Sequence, residues 1–219
     1  MTAPQSTDLS ASAWEQRYQE GRTAWDLGQP APALQQWINR QSHHSQASAI
    51  VLGAGRGYDA LLFAHQGFQV TAVDFAPSAI AALEQQAQAA HLLLSLRQQD
   101  IFTLVPELAG QFQYVVEHTC FCALDPNLRS AYVQLAADLL TPKGELVGVF
   151  FTHRRPGGPP FGITPEELAS NLPSLLQGTR NGTGHRFDSS PERRRTFSQA
   201  PALLKRSEPG QGGLSIYSG

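Results

Sequence analysis

Between Ile50 and Asp74 the chain reads as an apolar strand, a glycine-rich turn, a helix and a second strand that ends on an acid. The turn is Gly53-Ala54-Gly55-Arg56-Gly57-Tyr58-Asp59, and the second strand is Gln69-Val70-Thr71-Ala72-Val73 followed by Asp74. This order describes the first half of a nucleotide-binding αβ sheet. Glycines carry no Cβ, so the backbone can turn tightly and approach a ligand. A helix opening near Gly57 offers unpaired N–H groups and a partial positive charge. Asp74 follows Gly53 by 21 residues, which suits a carboxylate accepting hydrogen bonds from two ribose hydroxyls.

The spacing of the glycines narrows the ligand. A dinucleotide loop, G-x-G-x-x-G, needs a third glycine at position 58, and that residue is Tyr58. The pattern is G-x-G-x-G, closed at Gly57, the form used by S-adenosylmethionine methyltransferases, whose loop wraps a methionyl group and no pyrophosphate. A nicotinamide-dependent enzyme is the competing reading, and Tyr58 speaks against it.

A chain of 219 residues suits one α/β domain with a real core. It has no apolar run of about 18 residues, so no membrane span is expected. The polar stretch Met1–Ser12 predicts a loose end without a secretory signal. Cys120 and Cys122 stand too close in sequence for a disulfide framework and fit a reducing cytoplasm; two thiols without a second pair also make a weak zinc motif, so they are expected to pack or to line an acceptor pocket. The formal net charge is −2, and the segment 174–219 carries seven basic against three acidic residues. Such a basic run could touch nucleic acid; its composition favours a solvated, disordered end.

Strands are expected at 49–52, 69–73, 92–97, 112–116 and 145–151. Helices are expected at 13–20 with Ser12 as N-cap, at 32–39, 58–66, 77–90 and 126–140, and at 164–172 with a capping box from Thr164 to Glu167. Thr141-Pro142-Lys143-Gly144 reads as a turn, and His43 and His44 as idle link residues. Alternation of strands and helices predicts a Rossmann-like, mostly parallel twisted sheet with helices on both faces. Ligands sit beyond the carboxyl ends of such strands. Gly53, Asp74, Asp100, His118 and Thr152 should therefore share one rim.

At this point the residues resemble a known family. The pieces are Trp14-Glu15-x-x-Tyr18, Thr23-Ala24-Trp25-Asp26-x-Gly28, the glycine loop, Val73-Asp74-x-x-x-x-Ala79-Ile80, Asp100-Ile101-Phe102, Glu117 to Leu124, and Gly157-Gly158-Pro159-Pro160-Phe161. Together they look like the thiopurine S-methyltransferase family, in its thiol and halide methyltransferase-like branch, over about 14–172. The resemblance implies a class I methyltransferase that uses S-adenosyl-L-methionine. It also implies that Trp14, Tyr18 and Trp25 cover the cofactor and that Gly53, with Gly55 and Gly57 in the same loop, lines its methionyl part. Asp74 is implied to bind the ribose, Asp100 and Ile101 to flank the adenine, and His118 to sit near the transferring methyl. The family often has Trp where Tyr18 stands, Tyr or Arg at His118, and Asp at Glu117.

Read physically, Trp14 and Tyr18 are four apart and share a helix face. They are either core aromatics of a capping helix or π-faces offered to a sulfonium. Asp74 and Asp100 are either ligands or plain acids at strand ends. Methyl transfer from a sulfonium is an in-line displacement that needs alignment and dryness and no metal. Halide or hydrosulfide needs no base; a thiol is mostly protonated at pH 7 and gains from one. His118 is the first candidate base and His153 with Arg154 the second, against the plainer role of a structural hydrogen-bonder. The expected function is methyl transfer to a small soft nucleophile (thiol, hydrosulfide, halide or thiopurine) by a cytoplasmic monomer, with no nucleic acid or membrane partner.

The domain expected is 1–173, with a cap at 13–40 and a core at 49–173, followed by a divergent tail at 174–219 without the family's closing β-hairpin. The alternative is a methyltransferase-like protein that binds the cofactor without turnover because of that ending.

Overall fold

The computed structural model describes residues 8–41 and 46–172. His43, His44 and the tail 174–219, with the hairpin expected to be missing there, lie outside the described residues. The elements are α1 (Ala11–Gln19), α2 (Pro32–Asn39), β1 (Ser48–Leu52), α3 (Tyr58–His65), β2 (Gln69–Asp74), α4 (Pro77–Ala89), β3 (Ser95–Gln98), β4 (Phe112–His118), α5 (Arg129–Leu139), β5 (Leu140–Val149) and α6 (Pro165–Asn171). Among the described residues the strands form one sheet in the order β3-β2-β1-β4-β5, and every pair is parallel.

Alternate residues of each strand feed two cores, as a pleated strand requires. Ala49, Val51, Val70, Ala72, Val116 and Val147 pack with Leu34, Trp37 and Ile38 of α2, Phe63 of α3 and Leu83 of α4. Ile50, Leu52, Val73, Val115 and Leu146 pack on the other face with Tyr132, Leu135 and Leu139 of α5 and Leu168 of α6. The chain turns away from β1 in opposite directions toward β2 and β4. This makes the gap above β1 and β4 the topological switch point, where open αβ sheets bind ligands.

Several boundaries differ from expectation for local reasons. Helix α1 starts two residues early because Ser10, not Ser12, is the cap, its Oγ accepting from Ala13 N at 3.2 Å. Strand β3 starts at Ser95, not Leu92. Its apolar prefix is a helix stop: His91 takes φ +55° and Leu92 N returns to Ala87 O at 2.9 Å, leaving Leu93 95% exposed. Strand β5 starts at Leu140, which pairs with Phe112; the register then breaks before Tyr114 meets Glu145. The expected Thr141–Gly144 turn is thus an irregularity inside the strand. Residues 126–128 form a 3₁₀ turn before α5. The capping box of α6 forms as expected, with Glu167 N donating to Thr164 Oγ1 and Thr164 N to Glu167. Among the described residues no helix is long and apolar enough to cross a membrane.

Candidate active site

A cavity of about 740 Å³ opens at the switch point, a size suited to a cofactor-sized ligand. Trp14, Tyr18, Trp25, Gly53, Gly55, Gly57, Asp74, Asp100, Ile101 and His118 all line it. Thr152 does not, its neighbour Phe151 taking the place on the wall, and His153 and Arg154 are also absent from it. His153 Nδ1 instead accepts from Arg155 N at 3.1 Å.

The glycine loop is built for close approach. Gly53, Gly55 and Gly57 take φ of +61°, +55° and +86°, a region that costs other residues about 1–2 kcal/mol. A Cβ on Gly53 would lie 2.8 Å from Cys120 Sγ, and one on Gly57 would lie 2.0 Å from Leu83 Cδ1. So Gly53 lets the loop meet the turn after β4, and Gly57 lets α3 pack on α4.

Asp74 is buried at the end of β2. Its Oδ2 accepts from Gly55 N and its Oδ1 from Ala76 N, both at 2.9 Å. Burial pushes its carboxyl above the usual range against these N–H groups. A carboxylate offers about four acceptor sites, so capacity remains for further donors. Asp100 accepts from Phe102 N at 2.9 Å and starts the short 3₁₀ turn that carries Ile101.

The N-terminal segment is tied down by acids whose partners lie far along the chain. Helix α4 has no side-chain cap of its own; Glu15 of α1 supplies one, accepting from Ser78 N at 2.9 Å and from its hydroxyl. Asp26 pairs with Arg56 at 2.9 Å and so fixes the Trp25 loop to the glycine loop. Trp25 meets Trp14 and Tyr18 edge-to-face at 5.2 and 5.7 Å. The Arg17 guanidinium lies 4.2 Å from the Trp14 ring centre, so one face of Trp14 already carries a cation. The Tyr18 phenol is held protonated, first by burial and then by the charge of Asp74.

Beyond β4 the wall is set by a buried carboxyl. Glu117 has no solvent exposure; it accepts from Phe121 N at 3.0 Å and from the Tyr132 hydroxyl, which shapes the turn carrying Cys120, Phe121 and Cys122. Both cysteine thiols are pushed up, by burial and then by Glu117, so they line the cavity as neutral groups. Arg129, buried at the start of α5, donates to Phe161 O and Gly162 O, both at 3.1 Å, and holds the Gly158–Pro160 wall.

Burial pushes Glu117 up to about 7 from an ordinary 4.5. The folded state therefore keeps a proton that the unfolded chain releases. The linked stability is full below pH 4.5 and is lost as pH rises through about 7, a difference of up to roughly 3 kcal/mol. Glu117→Gln keeps an acceptor for Phe121 N and removes this titration. Its melting temperature is expected to change less between pH 5 and 8 than that of the wild type, as read by scanning calorimetry; equal slopes would contradict the assignment.

His118 Nδ1 lies 2.7 Å from Asp59 Oδ2. Burial opposes its protonation, but the hydrogen bond and charge of Asp59, with Glu117 behind, hold it above its ordinary value. The anchoring contacts made by Asp59, Asp26, Glu15, Arg17, Arg129 and the Glu117–Tyr132 pair are ones that sequence reasoning missed. Only the placement of Asp59 directly after the glycine loop could have singled one out. Among the described residues no group of three or more His, Cys, Asp or Glu could hold a metal.

Among the described residues, a five-stranded parallel sheet with a G-x-G-x-G loop at its switch point and a buried acid ending β2 defines a class I S-adenosylmethionine-dependent methyltransferase. Residues 9–200 match the family model of thiopurine S-methyltransferase, and the chain belongs to that family. It is 32% identical to "Probable thiol methyltransferase 2" of Arabidopsis thaliana over 172 residues, covering 76% of this chain and 74% of that protein. It is 29% identical to "Thiocyanate methyltransferase 1" of the same plant, covering 71% and 68%, and 25% identical to a thiopurine S-methyltransferase of Legionella pneumophila, covering 71% and 77%. In fold it is similar to Burkholderia thailandensis 1,6-didemethyltoxoflavin-N1-methyltransferase with bound S-adenosylhomocysteine, at a TM-score of 0.62 and 23% identity over 80% of this chain and 82% of that one. The protein is an enzyme that uses S-adenosylmethionine.

Proposed function

We propose that the chain methylates a small soft nucleophile, a thiol first, with His118 accepting the proton. The observation that supports this best is a histidine paired to a carboxylate on the cavity wall, 2.7 Å from Asp59, beside apolar lining from Leu124, Leu128 and Phe151. The names of the relatives, which carry thiol, thiocyanate and thiopurine, support the same class of acceptor.

The residues present suit the cofactor. The glycine loop runs along the cavity wall with no side chains of its own at Gly53, Gly55 and Gly57, and Asp74 keeps acceptor capacity for a diol. In this reading Gly53, Gly55 and Gly57 border the methionyl part, Asp74 takes the ribose, Asp100 and Ile101 border the adenine, and Trp14, Tyr18 and Trp25 close over the top. When bound, S-adenosylmethionine supplies an electrophilic methyl on a cationic sulfur. The chain's own work is to exclude water, align the acceptor and hold its proton on His118. The free thiols of Cys120 and Cys122 fit a reducing cytoplasm, and a monomer acting on small molecules is the form that goes with this site.

The test is an acceptor screen with methyl-labelled S-adenosylmethionine against benzyl mercaptan, hydrosulfide, iodide and 6-mercaptopurine, with a primary amine and a phenol as hard nucleophiles. Label is expected in at least one thioether or in methanethiol. Label only in the amine or phenol product would overturn the assignment.

A further inference from the structure

Asp59 spans two parts of the molecule. It is the second residue of α3, immediately behind the glycine loop. Its Oδ2 meets His118 Nδ1 at the end of β4, and its Oδ1 accepts the backbone N–H of Ala31 at 2.8 Å, just before α2. The side chains of His118 and Asp59 keep only 16% and 12% of their exposure, so water competes little for the bond between them. We propose that Asp59 is a positioning residue that works through His118, drawing the proton to Nδ1 so that Nε2 is the basic nitrogen, while Ala31 anchors it to the segment that closes the cavity. This rests on the reading of His118 as the base.

A neutral imidazole has one N–H and one lone pair, and the partner of one nitrogen decides which is which. A carboxylate can only accept, so it selects the Nδ1–H tautomer. The proton of an acceptor thiol then passes from S–H to Nε2. The bonding pair stays on sulfur as the nucleophile, and the ring becomes an imidazolium facing Asp59. The other charges around the ring have their own partners. Glu117, beside it on β4, bonds to Phe121 N and Tyr132. Of the acids and cations elsewhere on the cavity wall, Asp74 bonds to Gly55 and Ala76 and Arg56 pairs with Asp26. Cys120 and Cys122, on the following turn, are neutral. Among the described residues Asp59 is thus the one acid bonded to the ring.

The test compares wild type with Asp59→Asn and Asp59→Glu in the full-length, cofactor-free protein. The His118 ring is titrated by NMR, and the ¹⁵N shifts report its tautomer. In Asp59→Asn the titration midpoint is expected to fall and the single tautomer to become a mixture. Asp59→Glu, which keeps the charge, should restore part of both, and it gives a second reading if the Asn variant does not fold. With benzyl mercaptan, the acid limb of kcat/KM should move to lower pH in Asp59→Asn while the plateau drops about tenfold or more. A merely structural role lowers the melting temperature and leaves the midpoint, tautomer and acid limb in place, and that result would overturn the proposal. His118→Gln separates the two assignments. If it abolishes the acid limb while Asp59→Asn leaves it unmoved, only the role of Asp59 fails; if it leaves the limb intact, the base assignment itself fails.

Discussion

Gly57→Ala is expected to cost roughly 2–5 kcal/mol of stability, from two independent causes. The residue sits at φ +86°, ψ 13° as the N-cap of α3, where a Cβ costs about 1–2 kcal/mol. That Cβ would also stand 2.0 Å from Leu83 Cδ1 and 2.7 Å from its Cγ. Leu83 is fully buried in the core of α3, α4 and the sheet, so it has nowhere to turn, and overpacking of this kind costs about 1–3 kcal/mol. In a domain of this size such a loss lowers the melting temperature by roughly 10 °C, which scanning calorimetry would read. Leu83→Ala in the same chain removes the clash while leaving the backbone strain. The double variant should therefore be more stable than the sum of the two single losses implies. Additive losses would contradict the packing account of Gly57.

Asp74→Ala is expected to weaken S-adenosylhomocysteine binding by about 10²–10⁴-fold. Hydrogen bonds to a charged partner contribute about 1.5–3 kcal/mol each, and the proposed ribose contact uses two, with every 1.4 kcal/mol worth tenfold. The substitution also strands Gly55 N and Ala76 N, which the carboxylate now satisfies, so the loop itself loosens. Titration calorimetry separates these effects. Asp74→Asn retains one acceptor oxygen and should fall between wild type and alanine. Removing the ribose 2′-hydroxyl from the ligand should cost wild type more than it costs Asp74→Ala. Equal costs in both proteins would place the ribose elsewhere.

The parts of this molecule visible in its sequence are those fixed by local chemistry. The β1–loop–α3–β2 unit is read from glycines that no other residue replaces, and α2 from its Pro32 start and its Leu34, Trp37 and Ile38 face. The capping box of α6 is written in four consecutive residues. The errors come where a local pattern has two uses. Leu92–Leu94 looks like strand and serves as the exit from a helix; Pro142 and Gly144 look like a turn and sit within β5. The anchors of the site were illegible for another reason. Glu15 caps a helix 63 residues away, and Asp59 meets a ring 59 residues away. An acid's identity carries no trace of so distant a partner. His118 could be placed on the rim because a strand end is predictable, but the group that orients it could not.

The most direct test of the account compares wild type with His118→Gln in methyl transfer to benzyl mercaptan across pH, after both proteins are shown to bind S-adenosylhomocysteine. At pH 7 the thiol is protonated, and loss of a general base should cost about 10²-fold or more. Above about pH 9 solvent increasingly takes that proton, so the gap between the two enzymes should narrow. A gap that stays constant with pH, or no gap at pH 7, would contradict the assignment of His118 as the proton acceptor.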